Sequence, residues 1–301
     1  MSEGKARIGF VGAGLMGHGA AKFILQAGHE LTVIAHRNRR PIDDLVRRGA
    51  KEATSVEALT EASDIVFLCL PDAARVEQVM RAPEGVLAGA RAGHLIVDMT
   101  TSLPELTVGF NHELAAQGIG FIDGPMNRSP SDAERGALNL LLGGSDEQVA
   151  RVRPVVETFS ENVWHVGPAG AAHGIKLVNN FLLISNLATV LEAAVAAERF
   201  GISHQALLDI CSQGGANSAI LRRLLPYPIE GDDSGFQAKA STILKDVSYY
   251  NKMADEAGLH STMSKAAQSF FRLACSLGEG DTMVPRLYDS FKMLNALNDE
   301  N

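Results

Sequence analysis

The sequence predicts an α/β protein: a Rossmann-type, doubly wound sheet followed by a second, all-α domain. Three observations carry that expectation. A glycine-rich turn, Gly12-Ala13-Gly14-Leu15-Met16-Gly17, stands directly between an apolar run and a helix-like one. Short apolar strands then alternate with helical stretches up to Val166, the pattern of parallel βαβ construction. Beyond Gly167-Pro168-Ala169-Gly170 only helical patterns remain. The expected domains are therefore a dinucleotide-binding domain over residues 1–166 and a helical substrate and oligomerisation domain over 167–301, joined by a long helix.

Residues 5–11 read as the first strand and 14–28 as the first helix, ended by Gly28 as a left-handed cap would end it. Between them, Gly12, Gly14 and Gly17 form G-x-G-x-x-G in the one context where it has physical meaning. Gly12 permits the tight turn, Gly14 lets a pyrophosphate approach the backbone, and Gly17 lets the helix press against the sheet. The helix then aims free N–H groups and its positive dipole end at the phosphates. Taken alone, the glycines also fit a plain strand-to-helix turn.

Leu31-Thr32-Val33-Ile34-Ala35 reads as the second strand, and the turn after it selects the dinucleotide. An NAD site wants an acid there for the ribose hydroxyls, an NADP site a cation for the 2′-phosphate. Here the chain runs His36-Arg37-Asn38-Arg39-Arg40-Pro41, with no acid before Asp43. Arg37 can grip a phosphate with a fork of donors. The turn predicts NADP(H) in preference to NAD(H).

The unit repeats. Asp64 to Leu70 is a near-continuous apolar run, as a strand buried on both faces should be, and Pro71-Asp72 opens a helix to about Met80. His94 to Met99 is another strand, followed by Thr100-Thr101-Ser102 and a helix from Pro104. Residues 119–123 and 138–142 continue the sheet, and a helix near 146–159 and a strand near 163–166 complete it. Ligands of such sheets bind beyond the carboxyl ends of the strands. Leu70-Pro71, Thr100-Thr101 and the stretch from Asp123 to Ser129 fall there, beside the glycine turn.

The second half opens on an Ala-, Leu- and Val-rich helix from Ala171 to Phe200. Asn179, Asn180, Asn186, Glu192 and Glu198 interrupt it, which argues for a core helix and against a membrane span. Helices follow near 203–213, 216–225, 236–257, 261–277 and 285–297, with residues 231–235 as a loop.

Composition narrows the function classes. The chain has 301 residues, enough for two domains. A net charge of -8 gives no pull toward nucleic acid or anionic membranes. The first strand follows Met1 almost at once, with no secretory signal pattern, and Cys69, Cys211 and Cys275 form no close pair. A reducing cytoplasm is the expectation, without disulfides or a metal site.

Two places could carry chemistry. Lys176 and Asn180 stand one turn apart on one face of the long helix. A partly desolvated lysine there can exchange a proton with an alcohol or carbonyl oxygen, although a single lysine is more often a surface residue. Arg128, between Asn127 and Ser129 in a turn beyond a strand, can clamp a carboxylate, sulfonate or phosphate. Lys245-Asp246 could complete an anion site or form a surface ion pair. His36, His94, His165, His173 and His260 show no ligand spacing.

With these residues in place, the chain resembles the β-hydroxyacid dehydrogenase (3-hydroxyisobutyrate dehydrogenase-like) family almost end to end. Gly9 to Gly17 looks like its cofactor signature, and Asp98-Met99-Thr100-Thr101 with Pro104 like its D-x-S-T-x-x-P segment. Gly170 to Asn180, containing Lys-Leu-Val-Asn-Asn, resembles the catalytic helix, and Lys245-Asp246 the pair contributed by the helical domain. The resemblance implies an NADP-dependent oxidoreductase interconverting a small anionic 3-hydroxy acid, or a sulfonate, with its semialdehyde. Lys176 would be the general acid/base, and Asn127, Arg128, Ser129, Asn180 and Lys245 would hold substrate. Gly12, Gly14, Leu15, Met16, Gly17, Arg37, Asn38, Leu70, Pro71, Thr101 and Asp246 would hold the cofactor. Asn127-Arg128-Ser129 replaces the common Ser-Gly-Gly and is nearest the variant of sulfolactaldehyde reductases. An imine reductase, which generally lacks the lysine, and a non-catalytic NADPH-binding sensor are the competing readings. Family habit implies a homodimer or homotetramer.

Overall fold

Strands buried on both faces need apolar side chains at every position, and the central runs supply them. The computed structural model describes residues 5–295. Its strands are β1 (Arg7–Val11), β2 (Glu30–Val33), β3 (Lys51–Glu52), β4 (Ile65–Leu68), β5 (Leu95–Asp98), β6 (Gly120–Asp123), β7 (Met126–Asn127), β8 (Leu138–Gly143) and β9 (Ser160–Gly167). They form one sheet in the order β3-β2-β1-β4-β5-β6-β8-β7, with β9 paired to β8. Because side chains alternate across a strand, the sheet serves two cores. Phe10, Ile65, Phe67, Leu95, Val97 and Ile122 fill one. Val11, Val66, Leu68, Ile96 and Phe121 fill the other.

The sheet is parallel from β3 to β6, with one departure from the uniformly parallel expectation. β8 runs antiparallel to both β6 and β7, while β9 is parallel to β8. Between β6 and β8 the chain makes only β7 and the five-residue helix Pro130–Glu134. No long crossover helix carries it back to the starting edge, so the strand returns reversed.

The first helix is Gly17–Gln26, three residues shorter at its start than expected because residues 12–16 are loop; Gly28 follows it at φ +87°. Helices Arg40–Arg47, Val56–Glu61, Val86–Gly89, Pro130–Glu134 and Pro226–Glu230 were not expected. Four span six residues or fewer, too short to show a helical period, while Arg40–Arg47 buries Ile42 and Leu45 on one face; start signals such as Pro41 and the Ser55 cap mark two of the five.

Two compact units divide between Lys176 and Leu177, inside the helix Ala171–Arg199. The second contains His204–Ser212, Ala219–Leu224, Pro226–Glu230, Ala240–Glu256, Thr262–Ser276 and Leu287–Leu294. The helix expected from 236 starts at Ala240, because Lys239 pairs with Met283 as an isolated bridge. The last expected helix runs to 297, and its final residues lie outside the described ones. The helix Ala171–Arg199 is long and apolar enough to cross a membrane, but its Ile184, Leu187 and Leu191 pack with Leu224, Val247, Phe271 and Leu287 in the second unit's core.

Candidate active site

The three glycines of the first turn have different reasons to be glycine. Gly12 sits at φ +100°, where a Cβ would lie 2.1 Å from the Cys69 carbonyl oxygen. A Cβ on Gly17 would lie 2.2 Å from the Gly12 carbonyl oxygen. Gly14 meets nothing within 4 Å, so the fold itself does not ask for a glycine there. A side chain would fill only open space, which is the requirement of a ligand lying against the backbone. The helix that follows has no acidic residue in its first turn to repel a phosphate. Leu15 is exposed and Met16 half-buried beside it.

At the end of β2, His36, Arg37 and Asn38 are exposed. Arg39 is not available to a phosphate: its guanidinium donates to both oxygens of Glu52 at 3.0 Å and to Asp43 at 3.2 Å. That pairing holds the Glu52 carboxyl below its usual range. Asn38 Oδ1 accepts from the Arg40 N–H at 3.2 Å, shaping the turn. Among the described residues no carboxylate pairs with Arg37.

The carboxyl ends of β1, β4, β5 and β6 meet as expected. Cys69 N–H donates to Val11 O at 2.9 Å, Met99 N–H to Leu68 O at 2.8 Å and Gly124 N–H to Asp98 O at 2.8 Å. Leu70 N–H donates to Thr100 Oγ1 at 3.0 Å, so the Leu70-Pro71 and Thr100-Thr101 turns are tied directly. Thr101 is half-buried and Pro71 exposed. Desolvation pushes the Cys69 thiol up to about 12, so it is no nucleophile at neutral pH.

Lys176 reaches the segment after β6: its Nζ donates to Asn127 Oδ1 at 2.7 Å. The neighbours of Asn127 do something else. Arg128, at φ +86°, donates to Ala137 O at 2.7 Å and forms an ion pair with Glu161. Its charge is directed at a carboxylate of the protein, where the sequence led us to expect an open clamp. Ser129 is the N-cap of Pro130–Glu134, in a reciprocal capping box with Asp132. Its hydroxyl is engaged by a helix that the sequence reading did not anticipate.

In the second unit, Asn180 Nδ2 donates to Asp246 Oδ2 at 2.9 Å, and Lys245 Nζ lies 2.9 Å from Asp246 Oδ1. Asp246 thus organises Asn180 and Lys245 around one carboxyl group, with Asn180 buried and the ammonium also 5.2 Å from the Tyr249 ring centre.

Sequence reasoning missed Asp123 and His173, both fully buried. Asp123 accepts from Gly170 N–H and His173 N–H, and the His173 ring bonds Thr107 and the Thr100 carbonyl. An acid at a strand end and a histidine without ligand spacing gave no signal of this, because their partners are distant in sequence. Among the described residues no group of three or more His, Cys, Asp or Glu could hold a metal ion.

Comparison with known proteins gives this geometry a family. The profile of the NAD binding domain of 6-phosphogluconate dehydrogenase matches residues 7–167. That described as NAD-binding of NADP-dependent 3-hydroxyisobutyrate dehydrogenase matches residues 170–288. The 2-(hydroxymethyl)glutarate dehydrogenase of Eubacterium barkeri is 33% identical over 77% of this chain and 77% of its own. The 3-hydroxyisobutyrate dehydrogenase of Pseudomonas aeruginosa is 31% identical over 73% of this chain and 74% of its own. A solved structure of Mycobacterium tuberculosis 3-hydroxyisobutyrate dehydrogenase with L-serine superposes with a TM-score of 0.85, at 22% identity, over 96% of this chain and 100% of its own. A dinucleotide cradle in the first unit and two profiles that run in order through nearly the whole chain lead to one conclusion: the chain belongs to the β-hydroxyacid dehydrogenase family and is an NAD(P)-binding oxidoreductase acting on CH–OH groups of hydroxy acids.

Proposed function

We propose that this enzyme interconverts a small anionic 3-hydroxy acid and its semialdehyde with NADP(H), using Lys176 as general acid/base. The observation that carries this reading is the 2.7 Å bond from the Lys176 ammonium to Asn127, which holds the proton donor on the segment that follows β6. The cofactor supplies hydride to the aldehyde carbon when bound. Gly14, with open space around it, would leave room for the pyrophosphate, the N-terminus of Gly17–Gln26 would offer its free N–H groups to the phosphates, Arg37 would grip the 2′-phosphate, and Thr101, Leu70 and Pro71 would hold the nicotinamide end. Lys176 donates its proton to the carbonyl oxygen as that oxygen gains charge, and takes it back in the oxidative direction. Asn127 orients the anionic substrate beside Lys176, and the family resemblance gives Asn180 and Lys245 of the second unit a substrate-holding role. Arg128 joins them when the substrate anion displaces Glu161, a trade that favours a full, oxygen-rich anion such as a sulfonate. The exposed Leu182, Phe200 and Ile210 support a dimer or tetramer, which light scattering decides.

The test is a panel of sulfolactaldehyde, succinic semialdehyde, tartronate semialdehyde, methylmalonate semialdehyde and cyclic imines, each with NADPH and NADH. Lys176→Ala should cut turnover by roughly two to four orders of magnitude with NADPH binding intact. Unchanged turnover refutes the assigned role. Reduction of imines alone would indicate an imine reductase, and NADPH binding without turnover a sensor.

A further inference from the structure

Lys176 can serve as acid and base only if the start of its helix is held still, and two buried side chains outside the proposed chemistry hold it. Asp123 closes β6 and is fully buried. Its Oδ1 accepts from Gly170 N–H at 2.8 Å and its Oδ2 from His173 N–H at 2.7 Å. These are amides at the N-terminus of Ala171–Arg199, which lack partners within the helix. An acceptor bearing negative charge also suits the positive end of the helix.

His173 adds a second brace. Its ring is fully buried, with Nε2 2.9 Å from the Thr100 carbonyl oxygen and Nδ1 2.8 Å from Thr107 Oγ1. A carbonyl oxygen only accepts, so Nε2 carries the hydrogen, and the Thr107 hydroxyl takes the other nitrogen. Asp98 lies on the same side, its Oδ2 3.9 Å from Nε2 and without a hydrogen bond of its own. Lys176 follows His173 by three residues, about one helical turn. Thr100 precedes Thr101. One imidazole therefore sets the spacing between the turn assigned to the nicotinamide and the turn of helix that carries the ammonium.

We propose that Asp123 and His173 are positioning residues for Lys176: they fix the rotation and depth of its helix start against the Thr100-Thr101 turn, without touching substrate. The inference rests on the acid/base reading of Lys176. Loss of either brace lets the helix start turn, and a misplacement of about 1 Å at the ammonium can lower the rate about a hundredfold.

The experiment uses the full chain with NADPH and the best aldehyde acid of the panel. Asp123→Asn and His173→Ala should each lower kcat by about 10- to 100-fold. The NADPH dissociation constant and the aldehyde KM should stay near their wild-type values. His173→Gln, which keeps an N–H for the Thr100 carbonyl, should recover part of the loss. Thr107→Val, which removes the hydroxyl bonded to the ring, should lower kcat in the same direction. In each slowed variant the solvent deuterium isotope effect on kcat should rise, because proton delivery becomes the slow step. A merely structural role would lower the melting temperature and the active fraction and leave the isotope effect alone. If an Asp123 variant does not fold, the His173 and Thr107 variants decide. Wild-type kcat and isotope effect in folded variants, with Lys176→Ala inactive, overturn the positioning inference and leave the acid/base reading standing. An active Lys176→Ala overturns both.

Discussion

Lys176 and Asn127, 49 residues apart in sequence, are joined by a hydrogen bond of 2.7 Å from ammonium to amide oxygen. The amide oxygen aims the ammonium through a charge-assisted hydrogen bond. A bond of this kind to a charged group contributes about 1.5–3 kcal/mol. Asn127→Ala should therefore lower kcat by about tenfold or more with the NADPH KM unchanged. Steady-state kinetics at saturating cofactor reads the effect.

Two glycines of one motif should fail in different ways. Gly12→Ala places a methyl group 2.1 Å from a backbone oxygen at φ +100°, so thermal unfolding should show a large loss of stability, of several kcal/mol. Gly14→Ala meets nothing and should melt within a few degrees of wild type. Its NADPH affinity, read by fluorescence titration, should fall by about tenfold or more.

Two arginines of one turn should separate likewise. Arg37→Ala should weaken NADPH by about 10- to 100-fold and leave NADH nearly unchanged, because only NADPH carries the 2′-phosphate. Arg39→Ala breaks the pairing with Glu52 and should leave the NADPH-to-NADH preference as it was. The ratio of kcat/KM for the two cofactors is the measurement.

Arg128 occupies a backbone conformation that suits glycine, at φ +86°. Arg128→Gly relieves about 1 kcal/mol of backbone strain and gives up a solvent-screened ion pair with the exposed Glu161 and the hydrogen bond to Ala137 O. Stability should hold or rise slightly in a denaturant titration. The KM for the anionic aldehyde should rise about tenfold if the guanidinium grips substrate, and stay put if it only ties the loop to Glu161.

Acid should weaken the fold through two buried histidines. Desolvation holds His29 below its usual value near 6.5, and desolvation with the Arg91 charge does the same to His94. Each uses Nδ1 as an acceptor, from Ala6 N–H and Arg91 N–H respectively. The unfolded chain takes up these protons first as pH falls. Their contribution is thus complete above about pH 6.5 and is lost as pH drops toward the lowered folded-state values. The melting temperature should fall from pH 7.5 to 5.5, and a His29→Gln, His94→Gln double variant should flatten that slope.

The sheet was legible because its signals are local: Ile65 to Leu68 is an unbroken apolar run, and three glycines mark the turn after β1. Strand β8 was legible as a strand but its reversed direction was not, because its run looks the same in either direction and only a short connection turns it around. At the candidate site, spacing and resemblance point to Lys176, Asn180 and Lys245 as the residues to test. The capping role of Ser129 was not legible, since the five-residue helix it caps is too short for a period to show it.

Residue order alone sufficed for the class of fold and the glycine turn after β1, because each is a short-range pattern with a mechanism attached, and it proposed the cation after β2 and the lysine of the long helix. Which arginine of the turn stays open, that Arg128 turns to Glu161, and that Asp123 and His173 brace the lysine helix depend on groups brought together from tens of residues away. Such pairings follow from the folding of the backbone into a sheet, and no local stretch of sequence contains both partners.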